Sequence, residues 1–244
     1  DLVTLAKDAY FHYPNRLLVI PQPEPFADIE IPYSILPCNA SWGTDKPHVI
    51  YGYAVVDSAC TLNILAGAEV HFHSNSGLWV YRGGQLLVDA AKQGDYTNPV
   101  KMQSDRLEPT YEEIPGQWGG LLGGIFIQSG SEGNVINNAI IKNATTAIRA
   151  DSTGSITPNL TLKNVEIRNN SRVGLQGGYA NIVGENVVVT NGGLYLFYAL
   201  GGNYSFRHCT FANYWNSSSR STPAVGITNF FEDGLGNRFV RNVS

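Results

Sequence analysis

The side chains best suited to chemistry crowd into one stretch between Pro99 and Trp118, which holds Asp105, Arg106, Glu108, Tyr111, Glu112 and Glu113. A long segment projecting from regular structure carries function more often than a short turn does. Its carboxylates suit a cation or the hydroxyls of a sugar, and Asp105, Arg106, Tyr111 and Glu112 are the ligand-binding candidates. The plainer reading is an Asp105/Arg106 pair that anchors the loop while the glutamates are merely solvated. A second set of candidates is aromatic. Segments 194–198 and 203–215 are dense in rings, and strand alternation sends Phe206 and Phe211 inward while leaving Tyr195, Tyr214 and Trp215 for the surface. A pyranose has an apolar face and a polar edge, so exposed rings beside Asn and Arg donors make a sugar platform. The packed end of a core, or a contact with further chain, is the plainer reading here.

His71 and His73 are two apart on a strand and face the same side, with Val70 and Phe72 turned inward. The spacing suits a metal, but no third ligand stands at a useful distance in the sequence, so exposed histidines are expected, with no metal and no cofactor. His208 reads as a turn or surface residue. Polysaccharide lyases of solenoid architecture need clustered carboxylates for Ca²⁺, or another way to neutralise a uronate, beside a proton-abstracting base. Glycoside hydrolysis needs two carboxyl groups roughly 5 to 9.5 Å apart. Neither pattern shows on the repeat described next, so no catalytic residue is assigned.

The scaffold that positions these residues is a repeat. NNAIIKN (137–143), KNVEIRN (163–169), ENVVVTN (185–191) and RHCTFAN (207–213) align without gaps, which makes one coil 22 residues, with a four-residue insertion between the first two. Third positions (Ala139, Val165, Val187, Cys209) and fifth positions (Ile141, Ile167, Val189, Phe211) are small or apolar and lie two apart, so they stack into a core. Ile140, Glu166, Val188 and Thr210, then Lys142, Arg168, Thr190 and Ala212, face out. The seventh position is Asn in all four, a ladder of amides bonding from coil to coil. Gly177/Gly178, Gly192/Gly193 and Gly201/Gly202 mark turns where positive φ is expected. Strands separated by so few residues cannot carry crossover helices. The fold class is therefore all-β, a right-handed parallel β-helix.

Composition agrees. Charged residues make up 15% of the 244-residue chain, and glycines number 26, which suits strands and tight turns better than surface helices. A formal net charge of −4 without basic runs gives no footprint for nucleic acid. No stretch approaches the ~20 apolar residues of a membrane span. Three cysteines, Cys38, Cys60 and Cys209, leave at least one thiol unpaired within the chain. Residues 1–9 read as a strand closing an upstream domain, followed by a Pro-rich linker, so that 1–46 precede a β-helix spanning 47–244. The NRFVRN segment near the end has the look of one more, unfinished coil, since a solenoid end needs a cap.

VVDSACTLNILAGAEVHFH (55–73), PVKMQSDRLEPTYEEIPGQWGG (99–120), AIIKNATTAIRADS (139–152) and GGNYSFRHCTFANYW (201–215) together resemble a family of β-helix proteins exported by Bacteroidetes-type bacteria, within the pectate-lyase-like superfamily of folds. The resemblance implies an extracellular, cell-surface or periplasmic location. It also implies an immunoglobulin-like domain ahead of the helix and a lipoprotein signal that would anchor a precursor near a membrane. It transfers no catalytic residue. The expected function is a non-catalytic module, a scaffold or a partner of polysaccharide, acting as a monomer. The alternative is a lyase or glycoside hydrolase with its site on a groove of the helix, and a third reading is a spacer without a ligand.

Overall fold

The computed structural model describes residues 8–90 and 96–228, and over these the chain winds as a parallel β-helix of about eight turns. Each coil contributes to three faces. The first face stacks Ser41–Trp42, Thr61–Ile64, Gln85–Val88, the leading parts of Asn134–Lys142, Leu160–Asn170 and Asn181–Gly192, and Asn203–Arg207. The second face stacks Tyr10–His12, His48–Ile50, Glu69–Phe72, Val100–Ser104, the trailing parts of the same three long strands, and Thr210–Ala212. The third stacks Ile29–Ile35, Tyr53–Val56, Gly77–Val80, Ile125–Ile127, Thr146–Asp151, Val173–Gly178, Tyr195–Leu200 and Val225–Thr228. Arg16–Ile20 runs antiparallel to Ile29–Ile35 at the N-terminal edge of that third face.

The 22-residue register holds residue by residue. Val165 pairs with both Ala139 and Val187, and Phe211 pairs with Val189, all in parallel. Alternation sends Ile141, Ile167, Val189, Leu62, Phe72, Leu78 and Ile148 into a dry interior, where each is 1% exposed or less. Removing so many branched side chains from water stabilises the solenoid at about 2 kcal/mol per residue before the entropy of ordering is subtracted. Cys209, Phe206 and Phe211 pack against this core only partly, because they belong to the last described coil.

The repeat extends further back than the aligned segments. Tyr10–His12 and Ile29–Ile35 pair with strands of the following coil, so the Pro-rich stretch, which the sequence presents as a linker, winds as a first coil. Most of residues 1–9 and all of NRFVRN lie outside the described residues.

Corners are made differently from the sequence expectation. Of the three glycine pairs, only Gly201 and Gly202 take positive φ (60° and 93°). The left-handed positions at the repeating corners belong to asparagine: Asn138, Asn164 and Asn186 with His208 at one corner, and Asn143, Asn169 and Asn191 at the next, all between 49° and 68°. Asn tolerates this conformation because its short amide bonds locally. Gly177 serves a close approach instead, since a Cβ there would come within 2.5 Å of the Tyr204 hydroxyl oxygen. Cys38 and Cys60 form a disulfide, a pairing the sequence left open, and Cys209 is free.

Candidate functional site

The outer side of the second face carries two columns of side chains, one per coil. Parallel pairing places Glu69, Lys101, Ile140, Glu166 and Val188 in one column, and His71, Gln103, Lys142, Arg168 and Thr190 in the other. Ser104 ends its strand, and the segment to Trp118 then leaves the coil as the long loop read from the sequence. Both ends of that loop are fixed. Asp105, 5% exposed, accepts the Nδ1–H of His73 at 2.7 Å. Trp118 stacks on Phe72 at 4.0 Å and donates its indole N–H to the Lys142 carbonyl at 2.8 Å. Gly124 makes room for that indole, since a Cβ there would meet the ring at 2.5 Å.

Between its anchors the loop folds back over the next two coils. A short 3₁₀ turn, Pro109–Tyr111, reverses it, and the Gln117 side-chain amide donates to the Tyr111 and Ile114 carbonyls at 2.6 Å each. Asn143 donates to the Glu112 carbonyl at 2.7 Å, and the Glu112 carboxylate lies 3.6 Å from Lys142 Nζ. Glu113 accepts from Arg168 Nη1 at 2.8 Å and from the Asn169 amide. Burial pushes the Glu113 carboxyl upward, but the Arg168 and Asn169 donors outweigh it and hold the group below its ordinary value. Glu166 lies 2.9 Å from Arg168 Nε yet off the N–H direction, so it contributes charge and no hydrogen bond.

The result is a cleft of about 160 Å³ lined by Gln103, Ser104, Arg106, Leu107, Glu112, Lys142 and Asn143. The Arg106 guanidinium lies over the Tyr111 ring, 3.6 Å from its centre. Lys142, although on an outward column, is 9% exposed because the loop covers it. Asn143 is 3% exposed, and its side-chain oxygen has no partner. Cleft and rim therefore present cations, an amide, a hydroxyl and a carboxylate within one small volume. Such a mixture matches the alternating donors and acceptors of a polyhydroxylated ligand.

The sequence candidates divide. Arg106, Tyr111 and Glu112 come together here, whereas Asp105 pairs with His73 as an anchor and not with Arg106. His73 thus has the carboxylate partner that the sequence failed to offer, because Asp105 is brought beside it only by the winding of a whole coil. His71 is not exposed: it is 1% accessible, donates Nδ1–H to the Ser104 carbonyl at 3.2 Å, and turns Nε2 toward Glu69 at 3.7 Å. The Glu69 carboxyl is held down to about 2 by the His71 ring and by Lys101, against the upward push of burial. The Lys101 contact, at 2.9 Å, is the true hydrogen bond of the two. Tyr195 sits on the third face beside Tyr198, 4.9 Å between ring centres, well apart from the cleft in the fold. Tyr214 is 73% exposed and Trp215 donates to Ser218 at 3.0 Å, both just past Thr210–Ala212.

Sequence reading missed Gln103, Lys142, Asn143 and Arg168 as site residues. Lys142 and Arg168 were visible as neighbours in one outward column, but which column the loop would cover was not. Among the described residues no three His, Cys, Asp or Glu side chains stand together as a metal-ligand group. The chain matches no protein-family model, no curated protein and no solved structure.

Proposed function

We propose that the protein is an exported, non-catalytic β-helix module that binds glycan, and that the cleft beneath the 105–117 loop is where it does so. The observation that carries this reading is the convergence of Arg106, Lys142, Gln103, Ser104 and Glu112 on one water-accessible cleft under a loop pinned at both ends. A pinned loop loses little entropy on binding. Export is supported by the Cys38–Cys60 disulfide, since such bonds persist in oxidising compartments. Kinship with the exported β-helix family of the pectate-lyase-like superfamily belongs to the same proposal, as does a location outside the cytoplasm.

The enzyme reading has one observation in its favour: Glu113 and Glu166 flank the single Arg168 guanidinium. Arg168, however, occupies the space where a glycosidic oxygen or a nucleophilic water would have to sit. Screening the protein against soluble plant, animal and microbial polysaccharides, by affinity electrophoresis and by product release, tests both. Retardation by at least one polysaccharide, abolished in Arg106→Ala and without product release, is expected. Release of shortened or unsaturated sugars would establish the enzyme instead, and binding unchanged in Arg106→Ala would remove the cleft from the account.

A further inference from the structure

The outer side of the third face bears a different set of side chains. Parallel pairing puts Trp79, Phe126, Arg149, Gln176 and Tyr198 in a single row, one per coil. Tyr33 and Tyr81 flank Trp79 edge-on at 6.0 and 5.9 Å, and Tyr195 flanks Tyr198. Four steps between coils make the row about 19 Å long.

The side chains of this row are held in place before any ligand arrives. The Trp79 indole N–H donates to Gln128 Oε1 at 2.8 Å, which fixes the plane of the ring. Arg149 is clamped by Asp151 through Nε at 3.0 Å and Nη2 at 2.9 Å, and its guanidinium lies over Phe126, 4.8 Å from the ring centre. Gln176 and Tyr198 continue the row as partly exposed groups. Beyond them Gly226 follows Tyr198 in the row and makes room for the Tyr195 and Tyr198 rings, which a Cβ there would meet at 2.6 and 3.1 Å.

We infer that this row is a second binding surface, distinct from the cleft, for a neutral, linear glycan lying along the solenoid axis. Three features point to that occupant. The Trp79 and Tyr198 rings bracket a planar guanidinium and a planar amide, with Phe126, 6% exposed, as the floor beneath Arg149, which suits an apolar sugar face with polar edges. The one ion pair is internally neutralised, so nothing on the row calls for a charged ligand. The row also repeats at the coil spacing of about 4.8 Å, close to the length that each sugar adds to an extended β-1,4 chain. A protein partner would call for a continuous apolar centre, and here Arg149 and Gln176 occupy the middle of the row between Trp79 and Tyr198.

Cellohexaose, mannohexaose and xylohexaose are suitable probes, read through the indole N–H signals of ¹⁵N-labelled protein, with the Trp79 signal assigned by Trp79→Phe. At least one hexasaccharide shifts the Trp79 signal saturably, and Tyr198→Ala and Gln176→Ala each weaken that binding, Tyr198→Ala by about tenfold. Both variants alter partly exposed side chains, and their unchanged remaining indole signals report that the fold is intact. No Trp79 shift with any of the three sugars would overturn the inference. So would affinity unaffected by Tyr198→Ala, or a Trp79 signal that moves with protein concentration alone, which would mark the face as a contact between copies of the chain.

Discussion

The coils before the long loop and those after it solve the same geometric problem with different chemistry. After the loop, one left-handed Asn turns the chain between the first and second faces, so the strand continues through the corner, as in Asn134–Lys142 and Leu160–Asn170. Before the loop the same corner is an open turn, as between Thr61–Ile64 and Glu69–Phe72, where Gly67 takes φ 75°. The next corner differs as well. In the later coils the expected ladder of seventh-position amides forms one rung, Asn191 to Asn169 at 3.1 Å, because Asn143 and Asn169 donate to Glu112 and Glu113 of the loop and Asn213 to the Gly192 carbonyl. In the earlier coils Tyr13, Tyr51 and His73 stack at 4.9 and 4.5 Å, and His73 bonds Asp105. Those stacked rings occupy one another's faces and act as a spine. Amides bond in the plane of the ladder and need a strict repeat, whereas ring stacks tolerate unequal coils. The long loop emerges where one device gives way to the other.

The largest expected break in that comparison comes from the covalent staple found only in the early coils. Replacing Cys38 and Cys60 together by Ser removes a cross-link across 22 residues and costs about 3.5 kcal/mol in the chain-entropy account. Hydrogen exchange should then show the coils before residue 104 opening ahead of those after 134. Uniform opening of both regions would mean that the solenoid melts as one unit.

Acid should sharpen the contrast next. His48 stacks between Trp42 and Tyr10 and shares a 3.2 Å contact with His12, and burial, followed by the His12 charge, lowers it from 6.5 to about 4. A depressed histidine favours the fold fully above its unfolded value, and that contribution is lost as pH falls from about 6.5 through about 4. The loss is about 2 to 3 kcal/mol and falls on the early coils, where His48 lies. His48→Phe should flatten the pH dependence of thermal melting, and an unaltered slope would remove this histidine as its source.

The smallest effect belongs to the later corners. Asn191 has φ 52°, donates to Asn169 and accepts the Tyr214 N–H at 3.0 Å. Asn191→Ala should cost about 1 to 2 kcal/mol in denaturant melts, and Asn191→Gly should recover about half of it by relieving the left-handed backbone. Equal losses in both would show that the amide ladder alone matters, and no loss in either would show that it is dispensable.

Much of the fold was legible from residues. The alignment of four Asn-ended segments gave the 22-residue coil, the inward columns and their parallel pairing, because a solenoid repeats its local interactions at a constant interval. The first coil was not legible, since its prolines mask strands that only pairing with the next coil reveals. The glycine pairs point to positive φ in the sequence, whereas asparagine carries it at the repeating corners, where neighbouring coils supply amide bonds to Asn186 and Asn191. The loop was recognised as the place for chemistry, with Arg106, Tyr111 and Glu112 among its candidates, but its ceiling and floor were not matched.

By itself the sequence determined what repeats: coil length, which side chains face inward, and which stretch interrupts the pattern. These follow from alternation and spacing, which are local properties of the chain. Only the tertiary structure decided what meets across coils: Asp105 under His73, Glu113 on Arg168, Cys38 on Cys60, and Trp79 in one row with Tyr198. Such contacts join residues separated by a full turn or more, and the length of each irregular turn sets their register, so no local pattern in the chain encodes them.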